Sequence, residues 1–355
     1  MKALVTARLG SVAEDFLAGR FDGIQYAGWR KTHKRLSNQE LVDALQDVEA
    51  FITEFDFTSG DVLATASKLC ILACCRGGPE ANVDLDAATQ LGIPVIYTPG
   101  RNAIAVAEFT FGLMISLARH IATTDHLLKR TDLLTSGEYV SRKPAGRTAV
   151  SEWSLDAEAP FLRYSGPELF GKTLGIVGFG NIGREVARRA HGFHMDVMVY
   201  DPFVPDADVT RFDVRPVDLG TLLRESDFVT LHCKVTPETR GMIGAPQLAL
   251  MKPTAYLINT ARAAIVDYAA AYTALRERRI AGAGLDVYER EPVQSNDPFL
   301  KLDNVVLTPH LAGASWDVPR HHSKTLMRDL ACFFEGRRPV HLANPEVWGR
   351  RRNWA

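Results

Sequence analysis

The stretch Thr173–Asp201, TLGIVGFGNIGREVARRAHGFHMDVMVYD, decides the reading of this chain. An apolar run, Leu174–Val177, leads into Gly178-x-Gly180-x-x-Gly183; a helical pattern follows, and a second apolar run ends on Asp201. Gly178 allows a tight turn out of the strand, Gly180 lets a pyrophosphate approach the backbone, and Gly183 lets the helix pack close to the sheet. The helix N-terminus presents unpaired N–H groups to the phosphates. Asp201 sits where a carboxylate accepts hydrogen bonds from the ribose hydroxyls of NAD, and no arginine closely follows it to receive the 2′-phosphate of NADP. A glycine-rich turn alone means little. Strand, helix, second strand and terminal acid in register predict a dinucleotide-binding unit with NAD as its cofactor.

Downstream, the polar residues follow the strands. Six apolar runs are readable in this half: Leu174–Val177, Val197–Tyr200, Phe228–Leu231, Tyr256–Ile258, Gly282–Leu285 and Val305–Leu307. They lead in turn to Gly178, Asp201, Cys233, Thr260 with Arg262, Asp286, and His310. In an open parallel sheet the ligand lies beyond the carboxyl ends of the strands, so this pattern gathers these groups around one cleft. A guanidinium at a strand end clamps a carboxylate bidentately, which suits Arg262. A histidine paired with a carboxylate has its charged form favoured and serves as a proton donor and acceptor near neutral pH, which suits His310. Spacing alone does not separate Glu291 from Glu289 as its partner. Asp286, at a strand tip, is placed to orient the nicotinamide carboxamide.

The first hundred residues also alternate. Ala3–Thr6, Ile24–Tyr26, Val48–Thr53, Leu69–Cys75 and Val95–Thr98 are expected strands, with helices over Val12–Leu17, Gln39–Leu45, Ser59–Ala66 and Asp84–Leu91. Such βαβα order implies a parallel sheet covered on both faces. No glycine fingerprint follows the first strand. Ala103–Arg119 is apolar on nearly every side, so it is expected to be buried between domains or in a subunit interface. Residues from about 124 to 168 lose periodicity and read as a functional loop or a contact arm. Arg320–Glu335 is helical and is expected to return to the first domain. The fold expected is therefore α/β, with two doubly wound parallel-sheet domains. A Rossmann NAD domain, 104–310, is inserted into a flavodoxin-like substrate domain, 1–103 and 311–355.

A chain of 355 residues supports two domains. Its 41 basic and 42 acidic residues give a net charge of −1, which offers no electrostatic footing for nucleic acid. Arg350–Arg352 reads as a short solvated tail. Cys70, Cys74, Cys75, Cys233 and Cys332 suit small hydrophobes better than metal ligands or a disulfide framework, so no metal is expected. MKALVTARLG is not a signal peptide, and no stretch approaches membrane-spanning length. A cytoplasmic protein is expected.

These residues carry a resemblance. From about Leu69 to Gly313 the chain holds NVDLDAA, GIPVIYTPG, VAE, GKTLGIVGFGNIG, INTARAAIVD, AGLDVYEREP and NVVLTPHLAG in order. In this it resembles the D-isomer-specific 2-hydroxyacid dehydrogenases, a family that includes D-3-phosphoglycerate, formate and glycerate dehydrogenases. The resemblance implies hydride transfer between NAD(H) and C2 of a small D-2-hydroxy or 2-oxo acid. It implies Arg262, Glu291 and His310 as the catalytic trio, and so settles Glu291 over Glu289. It also implies cofactor contacts from Asn181, Ile182, Asp201, Cys233, Thr260, Ala261 and Asp286.

Arg76-Gly77-Gly78-Pro79 matches the family loop whose backbone N–H groups hold the substrate carboxylate, and Arg76 reads either as reaching a phosphate or second carboxylate or as a structural ion pair. The resemblance further implies a homodimer through the cofactor domains. The chain departs from the family pattern at Ala263, where glycine is usual, at Lys234, where proline is common, and in its longer segment near 124–168. Two other readings remain: an NADH-sensing binding protein like the transcriptional corepressors that resemble this family, and a dehydrogenase of a phosphorylated sugar acid.

Overall fold

The computed structural model describes residues 1–130 and 160–352. They form two compact units, Met1–Asn102 with Ala314–Ala355, and Ala103–Gly313.

The first unit is built on five parallel strands: β1 (Lys2–Val5), β2 (Gly23–Tyr26), β3 (Ala50–Thr53), β4 (Ile71–Cys74) and β5 (Val95–Tyr97). Their order is β2-β1-β3-β4-β5, the flavodoxin-like arrangement. β3 and β4 are buried along their whole length because both sheet faces are covered. Alternate residues serve opposite faces. Ala3, Val5, Ile52, Ile71 and Ala73 share a core with Leu326, Leu330 and Phe333. Leu4, Phe51 and Leu72 share another with Leu41, Leu45 and Leu63. Ser37, Ser59 and Asp84 cap the helices Asn38–Leu45, Gly60–Thr65 and Leu85–Gln90, and Glu40 completes a capping box with Ser37.

The C-terminal segment completes this unit. The helix Val318–Phe334 supplies Leu326, Leu330 and Phe333 to the core. Beyond it, the Asn344 side chain accepts from the Val95 N–H at 2.9 Å and donates to the Ile93 carbonyl at 3.0 Å. The expected solvated tail is not what forms. Arg352 donates to the carbonyls of Ala66 at 2.6 Å, Leu69 at 3.0 Å and Leu91 at 2.9 Å. Arg351 lies 3.9 Å from the centroid of the Trp348 ring. A guanidinium fork satisfies carbonyls that helix C-termini leave unpaired, and composition alone does not reveal that contact.

His322 is fully buried in this unit, and its Nε2 donates to the Arg8 carbonyl at 2.6 Å. Burial, against the pull of that hydrogen bond, pushes its pKa down to about 4. Between that value and about 6.5 the unfolded chain binds a proton that the folded chain refuses, so stability falls as pH falls through this window. We expect a slope of up to about 1.4 kcal/mol per pH unit from this residue. His322→Gln should flatten the slope when urea midpoints are measured at pH values across the window. An unchanged slope would assign the acid sensitivity elsewhere.

The second unit contains seven parallel strands: β6 (Thr173–Val177), β7 (Asp196–Tyr200), β8 (Arg215–Pro216), β9 (Phe228–Leu231), β10 (Tyr256–Asn259), β11 (Gly282–Leu285) and β12 (Val305–Leu307). Their order is β12-β11-β10-β9-β6-β7-β8, so the winding reverses between β6 and β9. The helix Asn181–Gly192 buries Gly183, Val186, Ala187 and Ala190. The helix Ala103–Ala118 contributes Ala107, Phe111 and Met114 to the same core as Leu174, Ile176 and Phe228. Much of its apolar surface is therefore buried within its own unit, while Ile104, Phe109 and Ile115 stay partly exposed.

The segment expected to lose periodicity from about 124 continues as the helix Ile121–Arg130, and Pro160–Arg163 forms a short helix. The helix Ile121–Arg130 buries none of its residues, and a Lys129–Asp125 pair braces it at 2.7 Å. Residues 131–159, the rest of the expected loop or arm, lie outside the described residues. No single helix among the described residues is long and apolar enough to cross a membrane.

Candidate active site

The glycine turn follows β6. Gly178 has φ +96, and its N–H donates to the Tyr200 carbonyl at 2.9 Å, joining the turn to β7. A Cβ at Gly178 would lie 2.6 Å from the Cys233 nitrogen, and one at Gly183 would lie 2.3 Å from the Gly178 carbonyl oxygen. Both positions therefore exclude side chains. Gly180 is different: nothing lies within 4 Å of a Cβ built there. It is also the N-cap of Asn181–Gly192 and gives that helix no side-chain cap. Its open side and the uncapped first turn, with Asn181, Ile182 and Gly183, suit a pyrophosphate approaching the backbone.

Asp201 ends β7 beside this turn. Its carboxylate accepts from the Phe179 N–H at 2.7 Å and from the Phe203 N–H at 2.9 Å, which fixes it next to the glycines. Cys233 is half-buried behind Gly178, and burial raises its thiol pKa. The neighbouring His232 escaped the sequence reading. Its Nε2 lies 2.9 Å from the Thr230 hydroxyl, while its Nδ1 is buried with no hydrogen-bond partner among the described residues. Burial pushes this imidazole down to about 3, so it is neutral at physiological pH.

Arg262 leaves β10 through a short turn. The buried Asn259 side chain accepts from the Ala261 N–H and donates to the Arg262 carbonyl, each at 3.0 Å. The Arg262 side chain is exposed, with Nη1 donating to the Ala261 carbonyl at 2.6 Å. Asn259 is thus a positioning residue that apolar periodicity does not reveal. Thr260 and Ala261 are buried, and the Thr260 hydroxyl lies 3.2 Å from that of Thr110. The Thr260 side chain consequently faces the helix Ala103–Ala118, which leaves its backbone as the part suited to a cofactor.

His310 and Glu291 meet. Nδ1 of His310 lies 2.6 Å from the Glu291 carboxylate, whose other oxygen accepts from the Tyr288 N–H at 3.1 Å. Burial alone would raise the pKa of Glu291. The hydrogen bond from His310, that from Tyr288 and the charge of Arg262 hold it below the usual carboxylate value. The three groups therefore share one electrostatic neighbourhood, with His310 Nε2 left for a ligand. Both partners are partly exposed, as groups that meet a substrate must be.

Asp286 is fully buried, and its carboxylate accepts from the Thr308 hydroxyl at 2.6 Å and from the Leu311 and Ala312 N–H groups, each at 2.8 Å. Its side chain brackets the turn that carries His310. That turn needs a brace, because His310 has φ +56, an uncommon conformation for a residue with a side chain.

In the first unit, Arg76, Gly77 and Gly78 follow β4. The N–H groups of Gly77 and Gly78 have no acceptor among the described residues, which suits a carboxylate. A Cβ at Gly77 would lie no nearer than 3.8 Å to the backbone of residues 98–100. Gly77 is thus not required by packing alone.

Residues 111–312 match the model for the NAD-binding domain of D-isomer specific 2-hydroxyacid dehydrogenases. The chain belongs to this family. It is 38% identical to a glyoxylate reductase of Korarchaeum cryptofilum, over 88% of this chain and 87% of that one. It is 37% identical to a D-3-phosphoglycerate dehydrogenase of Methanocaldococcus jannaschii, over 83% of this chain and 51% of that longer one. Among solved structures, the D-lactate dehydrogenase of Escherichia coli superposes with a TM-score of 0.71 at 27% identity, covering 97% of this chain and all of that one. The protein is an oxidoreductase of the NAD(P)-dependent 2-hydroxyacid dehydrogenase family, and the unit Ala103–Gly313 carries its NAD-binding domain.

Proposed function

We propose that this protein reversibly reduces C2 of a small 2-oxo acid to the D-2-hydroxy acid at the expense of NADH. The observation that carries the reading is the 2.6 Å pair of His310 and Glu291 beside the charge of Arg262, on strand ends of the unit that holds the glycine turn. Arg262 binds the substrate carboxylate and polarises the carbonyl oxygen at C2; within the first unit, the N–H groups of Gly77 and Gly78 are the candidates for holding a carboxylate. His310 Nε2 donates a proton to that oxygen in reduction and removes it in oxidation. Glu291 holds the imidazole by Nδ1. The open side of Gly180 and the uncapped first turn of Asn181–Gly192 would hold NAD(H), which would supply or receive the hydride. On this reading Ala103–Gly313 serves the cofactor, and Met1–Asn102 with Ala314–Ala355 serves the substrate.

Asp201 accepts from the ribose hydroxyls and repels a 2′-phosphate. Asp201→Ser is expected to narrow the preference for NADH over NADPH by about one to two orders of magnitude, measured as the ratio of kcat/KM values. An unchanged ratio removes Asp201 from cofactor selection. The homodimer belongs to the same proposal. It is supported by the helix Ile121–Arg130, where Ile121 and Leu128 are both more than half exposed; light scattering on the intact chain tests it.

The deciding experiment is NADH oxidation over a panel of plain, dicarboxylic and phosphorylated 2-oxo acids. Turnover of at least one, giving the D-hydroxy product, supports the reading. Tight NADH binding without turnover of any would instead indicate a cofactor-sensing protein.

A further inference from the structure

Two tyrosine hydroxyls pin the loop that carries Glu291, and one of them also reaches the turn that carries His310. Tyr288 stands three residues before Glu291 in the loop leaving β11, and its side chain is buried while the Glu291 carboxylate stays partly exposed. A buried tyrosine normally finds an acceptor for its O–H. Here the hydroxyl oxygen lies 3.0 Å from the Thr308 carbonyl and 3.4 Å from that of Leu285, so its one proton goes to Thr308. The same Thr308 carbonyl accepts from the His310 N–H at 3.0 Å. Through its backbone, Tyr288 donates to Glu291 at 3.1 Å, and the opposite oxygen of that carboxylate meets Nδ1 of His310 at 2.6 Å. The contacts close a circuit from Tyr288 to Glu291, to His310, to Thr308 and back.

Asp286 fixes the His310 turn from another side, through Thr308, Leu311 and Ala312, and makes no hydrogen bond to Glu291 among the described residues. It therefore sets the shape of the turn and not its spacing from the acid. That spacing needs setting, because a bond of 2.6 Å weakens steeply when either partner is displaced. Burial, and then the charges of Asp286 and Asp297, push the Tyr288 hydroxyl up to about 12, so it stays a proton donor throughout the range of ordinary assays. Tyr268 anchors the same loop beyond Glu291. Its hydroxyl donates to Asp297 at 2.7 Å, and its ring lies 4.5 Å from that of Phe299. Neither contact reaches Glu291 or Thr308.

We propose that the Tyr288 hydroxyl is a positioning group for proton transfer, setting the spacing of His310 from Glu291 by way of the Thr308 carbonyl. Phenylalanine would fill the same space without closing the circuit. The inference rests on the dehydrogenase reading above for its chemistry, and on the hydrogen bonds alone for the alignment.

The test is Tyr288→Phe, which keeps the ring and the backbone N–H and deletes the O–H, with Tyr268→Phe as a control in the same loop. Assayed with whichever 2-oxo acid is turned over fastest, Tyr288→Phe should lower kcat by about 10-fold and leave KM for NADH and for the acid near wild type. Tyr268→Phe should lower the urea midpoint and leave kcat near wild type. In a His310→Gln background Tyr288→Phe should cost nothing further, since it acts through the imidazole. Wild-type kcat in Tyr288→Phe, an equal loss in Tyr268→Phe, or an undiminished loss in the His310→Gln background overturns the proposal and leaves the dehydrogenase reading in place. A readout without turnover separates the two ideas. With isotope-labelled histidine in the intact chain, the ring-nitrogen NMR resonances of His310, assigned by their loss in His310→Gln, should move in Tyr288→Phe and hold in Tyr268→Phe. That pattern upholds the alignment even if no acid is reduced, whereas resonances unmoved in Tyr288→Phe count against it.

Discussion

His310→Gln lowers kcat by about 10² to 10⁴ and leaves NADH binding in place. The imidazole is anchored through Nδ1, 2.6 Å from Glu291, so only Nε2 is available to a substrate oxygen. Glutamine fills comparable space and offers an amide, but it cannot carry a proton to the forming hydroxyl and back. The cofactor turn lies after β6, away from this change in sequence, so fluorescence titration with NADH should report an affinity close to that of wild type. Glu291→Gln should do less damage, because an amide oxygen still accepts from Nδ1 while the charge is lost. Wild-type turnover in His310→Gln would remove this residue from the mechanism.

Asp286→Ala is the second large effect. The buried carboxylate receives three hydrogen bonds, from Thr308, Leu311 and Ala312, and these flank His310 on both sides. Removing it leaves the Ala312 N–H buried without an acceptor, and stability should fall by about 3–5 kcal/mol, read from urea midpoints. Because His310 is held at φ +56 by this bracing, the imidazole should also lose its alignment, with kcat falling by about 10²-fold. Asp286→Asn cannot offer acceptors at every position, so it should recover only part of both losses. A midpoint equal to wild type would show that the turn holds itself.

Much of this was legible before any coordinates. The five strands of the first unit and six of the seven in the second coincide with apolar runs, because parallel strands buried on both faces need little polar alternation. β8 escaped because it is Arg215–Pro216, a two-residue edge strand with neither apolar length nor β-branching. His310 and Arg262 are legible as residues following strand ends, whereas Glu291 is separated from Glu289 only by the family resemblance. The bracing of these residues is not legible: Asn259 and Asp286 act by hydrogen bonds to backbone groups, which leave no periodic trace in sequence. The contacts of Arg352 leave no trace for the same reason, since its partners are the carbonyls of Ala66, Leu69 and Leu91.

The split first unit has a consequence for how the chain is made. Its sheet is encoded before residue 100, yet one face is covered by Leu326, Leu330 and Phe333, and β5 is tied down by Asn344. During synthesis the ribosome releases the whole cofactor-binding half while that face is still bare. The N-terminal sheet therefore stays exposed for the time needed to translate about two hundred further residues, at roughly 5–20 per second. Chaperone dependence and premature-termination toxicity should concentrate in that interval, not in the half that carries the glycine turn.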